Sequence, residues 1–171
     1  MSPYMLVFCQ VVVGCVFALS VLGKVRDMSA FEESIQGFQL LPEPAIKPSA
    51  ITFVVSEMIV VVLLLVGGVA LPVGFVLAVV LLALFSGALF SVLQRKLDVS
   101  CGCFGASEQR VSYYDIVRNG GFMVCAIGGV WLATTTVLPG WEGFLLAGSA
   151  IAFVLVWTHL RDIVGVLRLK P

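Results

Sequence analysis

Apolar runs close to 20 residues long recur along this chain with hardly a charge inside them, and that recurrence closes off most folds. About 20 apolar residues wound as a helix cross the roughly 30 Å of hydrocarbon in a bilayer. Five windows meet the requirement, at residues 4–22, 51–70, 73–94, 113–138 and 143–160. Composition leads to the same environment, because 60% of residues are hydrophobic and 12% charged, too little polar surface to cover a water-soluble globule. Unpaired backbone groups are too costly in lipid for an open sheet, and the short alternating segments of a β-barrel are missing, which leaves helices. The expected fold is all-α: a polytopic membrane bundle with a four-helix core and a fifth transmembrane helix, one domain over residues 1–171.

The first run is expected to be retained, since it is too long for a signal-peptide core, lacks a basic leader and has no small-residue cleavage site before Lys24. Leu71-Pro72 and Pro139-Gly140 are the expected turns between neighbouring spans. Paired small residues at Gly67-Gly68, Gly87-Ala88, Gly120-Gly121 and Gly128-Gly129 suit close helix packing. Alternation of the spans then gathers residues 23–50, 95–112 and the C-terminal tail on one side, and all ten Lys and Arg lie on or next to that side. By the positive-inside rule it faces the cytoplasm of a cell (inner) membrane. The formal net charge is zero, so no basic excess points to nucleic acid.

The most pointed chemistry lies in the loop between the third and fourth spans, where Cys101 and Cys103 flank Gly102. Thiols one residue apart meet only if the chain turns sharply, which Gly102 permits, and the resulting bridge is strained and readily reduced. Arg95, Lys96 and Arg110 flank the pair, and nearby cations favour the attacking thiolate. The same spacing also fits two ordinary residues in a tight loop, a static staple, or two ligands for a soft ion such as Cu(I). A closed zinc site needs two more ligands, and His159 is the only histidine. His159 reads as an interfacial anchor, and Cys9, Cys15 and Cys125, inside apolar spans, as small hydrophobic side chains. No metal site is expected.

Glu57 differs in kind, because a carboxylate inside a span is costly unless paired. It lies two turns into the second window, and Lys24 or Arg118, on the same membrane face, is its expected partner. Such a pair serves packing, or organises the thiol loop or a proton.

With these residues in place, the chain resembles the MauE family of membrane proteins, related to the DoxX-like group and associated with methylamine utilisation gene clusters. The likeness is carried by Gly23-Lys24, the stretch from Phe31 to Pro42, Glu57, the string Cys101-Gly102-Cys103-Phe104-Gly105, and Arg118-Asn119. It implies a four-helix redox-type membrane fold that forms or shuffles disulfides while partner proteins mature, often beside a thioredoxin-like protein. Catalytic roles then fall to Cys101 and Cys103, with Gly102, Phe104, Gly105, Lys24, Glu57, Arg118 and Asn119 in support. Membrane oxidoreductases that pass electrons from thiols to quinone are similar in layout, but their usual Cys-X-X-Cys is missing here, so quinone is left open as a cofactor and none is required. Disulfide formation in such relatives serves proteins outside the cytoplasm, against the side indicated by the basic residues. Two readings stand: a thiol-disulfide oxidoreductase, and a non-enzymatic membrane scaffold or assembly factor.

Overall fold

A computed structural model describes residues 3–97, 99, 112–133 and 154. All regular structure among them is helical: α1 (Pro3–Arg26), α2 (Met28–Gly37), α3 (Glu43–Val66), α4 (Ala70–Gln94) and α5 (Tyr113–Ala133). Four of these, all but α2, are long and apolar enough to cross a membrane. The shortest of the four has 21 residues, about 31 Å at 1.5 Å per residue, which matches the hydrocarbon thickness. Large apolar side chains such as Leu65, Val66, Leu84, Val124 and Trp131 are exposed around the outside, where lipid is the natural solvent. The chain is thus a multi-pass membrane bundle. The fifth expected span, 143–160, lies outside the described residues.

Two expectations about boundaries are corrected. The second span does not begin at residue 51 but at Glu43, because proline in the first helical turn loses no hydrogen bond and Pro44 sits there. The turn into α4 is not Leu71-Pro72 but Gly67-Gly68, both at positive φ (70° and 56°), a conformation open to glycine at little cost. Leu71 and Pro72 instead fall in the first turn of α4.

The segment between α1 and α3, for which the apolar runs predict no element, contains α2. Asp27 starts it, its carboxylate accepting from the Ala30 amide at 3.0 Å and from the Ser29 hydroxyl at 2.9 Å. The Ala30 and Ser29 bonds favour the charged form and hold the Asp27 carboxyl below its usual range, so this cap weakens as pH falls through that lowered value. Phe31 and Ser34 turn inward from α2 and Glu33 faces out.

Packing contacts fix the helix directions. Gln10 Nε2 donates to the Leu64 carbonyl at 2.7 Å, pairing the start of α1 with the end of α3. At one end of the α4–α5 interface Phe75 lies against Gly129, and at the other Leu89 and Val92 pack with Ile116. Neighbouring spans are therefore antiparallel, and the main core runs through Val12, Val16, Val60, Leu64, Phe75 and Phe122.

Of the paired glycines, only some serve packing: a Cβ at Gly87 or Gly120 would meet nothing within 4 Å. Gly129 is different, since a Cβ there would overlap the Phe75 ring. Gly129→Ala is expected to lower stability by about 1–3 kcal/mol, the usual range for overpacking. Gly120→Ala should leave stability unchanged or raise it by up to about 1 kcal/mol through helix propensity. Thermal unfolding of the detergent-solubilised protein checks the contrast, and equal effects would rule out the α4–α5 contact as its source.

Candidate functional site

Ser20 and Lys24 are four residues apart on α1 and therefore share one helix face. That face meets α3 where Glu57 points inward, 14 residues beyond Glu43, or about 21 Å along the helix. Lys24 Nζ donates to Glu57 Oε1 at 2.6 Å, and Ser20 Oγ donates to the same oxygen at 3.0 Å. Lys24 is 2% exposed and Glu57 4%, so the pair is shut away from both water and lipid. Burying two ions is costly, and the cost is offset only where charge and hydrogen bonds are well matched.

Further compensation comes from aromatic rings. Lys24 Nζ stands 4.6 Å from the ring centre of Phe53 on α3, 4.7 Å from that of Phe31 on α2 and 5.8 Å from that of Phe85 on α4. Ring faces carry negative quadrupole charge and attract an ammonium, most strongly when water is excluded. The rings also touch each other, Phe53 lying 6.2 Å from Phe31 and 6.1 Å from Phe85 between centroids. One lysine side chain thus joins four helices.

Asn119 of α5 completes the centre. It is 6% exposed and lines a cavity of about 40 Å³ together with Ser20, Lys24 and Glu57. Asn119 Nδ2 and Glu57 Oε2 have no hydrogen-bond partner among the described residues. One needs an acceptor and the other a donor. The two atoms suit a single bridging water, and the cavity exceeds the roughly 10–15 Å³ that one water requires.

Arg118, the other expected partner of Glu57, takes a different place. It lies 3.3 Å from Asp115 on its own helix, and Asp115 Oδ2 in turn accepts from the Ser112 amide at 2.9 Å. Adjacent residues on a helix point about 100° apart, so Asn119 and Arg118 do not face one cavity. Lys24, Glu57 and Asn119 are brought together, and Arg118 works at the start of α5.

Cys101, Gly102, Cys103, Phe104 and Gly105 lie outside the described residues. What leads into them is firmly seated. Leu97 and Val99 pack against the cluster formed by Phe38, at the end of α2, with Leu89 and Val92 of α4. A Cβ at Gly37 would come within 2.8 Å of Val99 Cγ1, so glycine there admits this approach. On the far side of the loop Ser112 Oγ accepts from the Tyr114 amide at 3.1 Å as α5 begins. Sequence reasoning missed Ser20, Asp115 and the three rings. The spacings of Ser20 to Lys24 and Asp115 to Arg118 were visible, whereas rings from three helices converge only in the folded chain.

Residues 2–132 match the family described as Methylamine utilisation protein MauE. The chain is 28% identical to the Methylamine utilization protein MauE of Paracoccus denitrificans over 139 residues, 81% of this chain and 72% of that one. It is 30% identical to the protein of that name from Paracoccus versutus over 140 residues, covering 81% and 75%. With the protein of that name from Methylorubrum extorquens it shares 25% identity over 163 residues, covering 90% and 85%. No solved structure matches the chain.

The Lys24–Glu57 pair predicts strong coupling. Lys24→Met or Glu57→Gln alone should destabilise the bundle by about 3–5 kcal/mol, because each strands a buried polar partner. The double substitution should cost less than the sum of the two. Unfolding titrations of the four proteins in detergent measure the coupling, and additive effects would show that the pair contributes nothing beyond its separate residues.

Proposed function

The chain belongs to the MauE family, and on that premise we propose that it is a membrane thiol-disulfide oxidoreductase acting in methylamine utilisation, with Cys101 and Cys103 as the exchanging pair. The relatives' names supply the pathway, and the two thiols supply the chemistry. The observation that carries the reading is the packing of Val99 against the end of α2 and the cluster of Phe38, Leu89 and Val92. One residue, Ser100, separates Val99 from Cys101, so connectivity keeps Cys101 within about 7 Å of that anchor.

In the proposed exchange one thiolate of the reduced pair attacks a disulfide of the partner, forming a mixed disulfide and releasing one partner thiol. The second cysteine then attacks its neighbour's sulfur, closing the Cys101–Cys103 bridge and releasing the other partner thiol. The reverse sequence delivers a disulfide to the partner, for which a thioredoxin-like protein is the proposed class. Gly102 allows the ring to close, and Phe104 and Gly105 complete the loop. Glu57, Lys24 and Asn119 hold α1, α3 and α5 in register beneath it, while Arg118 and Asp115 brace the helix that follows. The proposed location is the cytoplasmic face, from the clustering of Lys and Arg on the loop side.

Cys101→Ser and Cys103→Ser should each abolish complementation of a deletion strain while leaving thermal stability in detergent within about 0.5 kcal/mol, as for a substitution outside the core. Full complementation by both would overturn the redox reading in favour of a scaffold. For sidedness, a membrane-impermeant maleimide should leave these two cysteines unlabelled in intact cells and label them once the membrane is opened. Prompt labelling in sealed cells after mild reduction would place the loop outside.

A further inference from the structure

A second sulfur cluster occupies the end of the bundle away from the polar centre. Cys9 of α1 and Cys125 of α5 belong to one packed cluster at the helix interface and line one cavity. Both are free, as is Cys15. Gly128, one turn beyond Cys125, permits the approach: a Cβ there would stand 3.9 Å from Cys9 Sγ, in ordinary contact. Cys9 is 3% exposed and Cys125 half-buried.

Beside the pair lies a cavity of about 380 Å³, lined by both cysteines and by Met5, Phe8, Val124 and Trp131 among others. This is a volume that takes a small organic ring. Val124 and Trp131 are 71% and 73% exposed on the outer surface of the bundle, so the cavity borders the lipid. Charge then decides between the chemistries open to two thiols. A monovalent soft ion held by two thiolates would leave a net negative charge in hydrocarbon, which is costly, and a tetrahedral divalent ion needs two ligands more. A dithiol and a disulfide are both neutral, and apolar surroundings accept either.

We propose that Cys9 and Cys125 form a second redox couple, oxidised within the bilayer by an apolar two-electron acceptor that enters the adjoining cavity from the lipid. Both S–H bonds break, one S–S bond forms between the two sulfurs, and the acceptor leaves with two electrons and two protons. The new bond joins α1 to α5. This couple is independent of Cys101 and Cys103 and stands whether or not they exchange disulfides.

The test uses the full-length Cys101→Ser/Cys103→Ser chain in lipid nanodiscs, with duroquinone as the lipid-soluble acceptor and oxidised glutathione as the water-soluble oxidant. After denaturation, free thiols are alkylated and linked peptides identified by mass spectrometry. Duroquinone should link Cys9 to Cys125 at least about tenfold more than Cys15 to Cys125, because Cys9 and Cys125 line the cavity together and Cys15 does not. Dithiothreitol should restore both thiols, and oxidised glutathione should form little of the link. Val124→Phe narrows the cavity from the lipid side and should slow linkage by duroquinone but not by iodine, which is small enough to need no cavity. If iodine linkage also falls, the substitution has disturbed the interface, and Met5→Phe narrows the same cavity from the other helix. The proposal fails if Cys9 and Cys125 stay free to alkylate under duroquinone, if glutathione links them equally fast, or if neither narrowing variant slows duroquinone.

Discussion

The bundle is organised around one buried ion pair. Lys24 and Glu57 lie in a region where an isolated charge is strongly disfavoured, and their 2.6 Å contact makes each tolerable to the other. Glu57 is buried at its depth on α3, so its charge demands a cation, which α1 supplies in Lys24. The cation in turn demands exclusion of lipid and receives it from three phenylalanine rings on α2, α3 and α4. The mutual dependence specifies rotation and height for four helices at once. Apolar packing in lipid cannot do this alone, because lipid tails compete for the same surfaces on nearly equal terms.

This constraint explains the short helix α2. An amphipathic segment of ten residues has little reason to persist in isolation. Here its Phe31 covers the lysine, while the residues at its end, Gly37 and Phe38, receive Val99 from the α4–α5 loop. The helix thus links the ion pair to the loop that carries Cys101 and Cys103.

Polar and sulfur chemistry divide the bundle along its length. Ser20, Lys24, Glu57 and Asn119 lie towards the loop end, where a small polar cavity offers unmatched donor and acceptor atoms. Cys9 and Cys125 lie towards the opposite end beside a larger apolar cavity. The antiparallel arrangement is responsible, since it sets the end of α1 beside the start of α5 and the start of α1 beside the latter part of α5. The two centres share helices and differ in solvent.

Class, environment and the number of long helices among the described residues were legible in the chain, because the energetic demand of hydrocarbon is written as uninterrupted apolar length. The need for a partner to Glu57 was also legible, as was the short set of cations able to serve. Choosing Lys24 over Arg118 required the structure, since a helix presents successive residues about 100° apart and only the packed rotation of α5 turns Asn119, and not Arg118, towards the cavity. Boundaries at Glu43 and Gly67-Gly68 depended on local backbone rules that apolar length obscures, namely the tolerance of early helical turns for proline and of glycine for positive φ. The ring cage and the meeting of Cys9 and Cys125 at one cavity were invisible in sequence for a simpler reason. Their members come from separate helices with no spacing rule between them, and only tertiary packing fixes the distances on which cation–π attraction and sulfur chemistry depend.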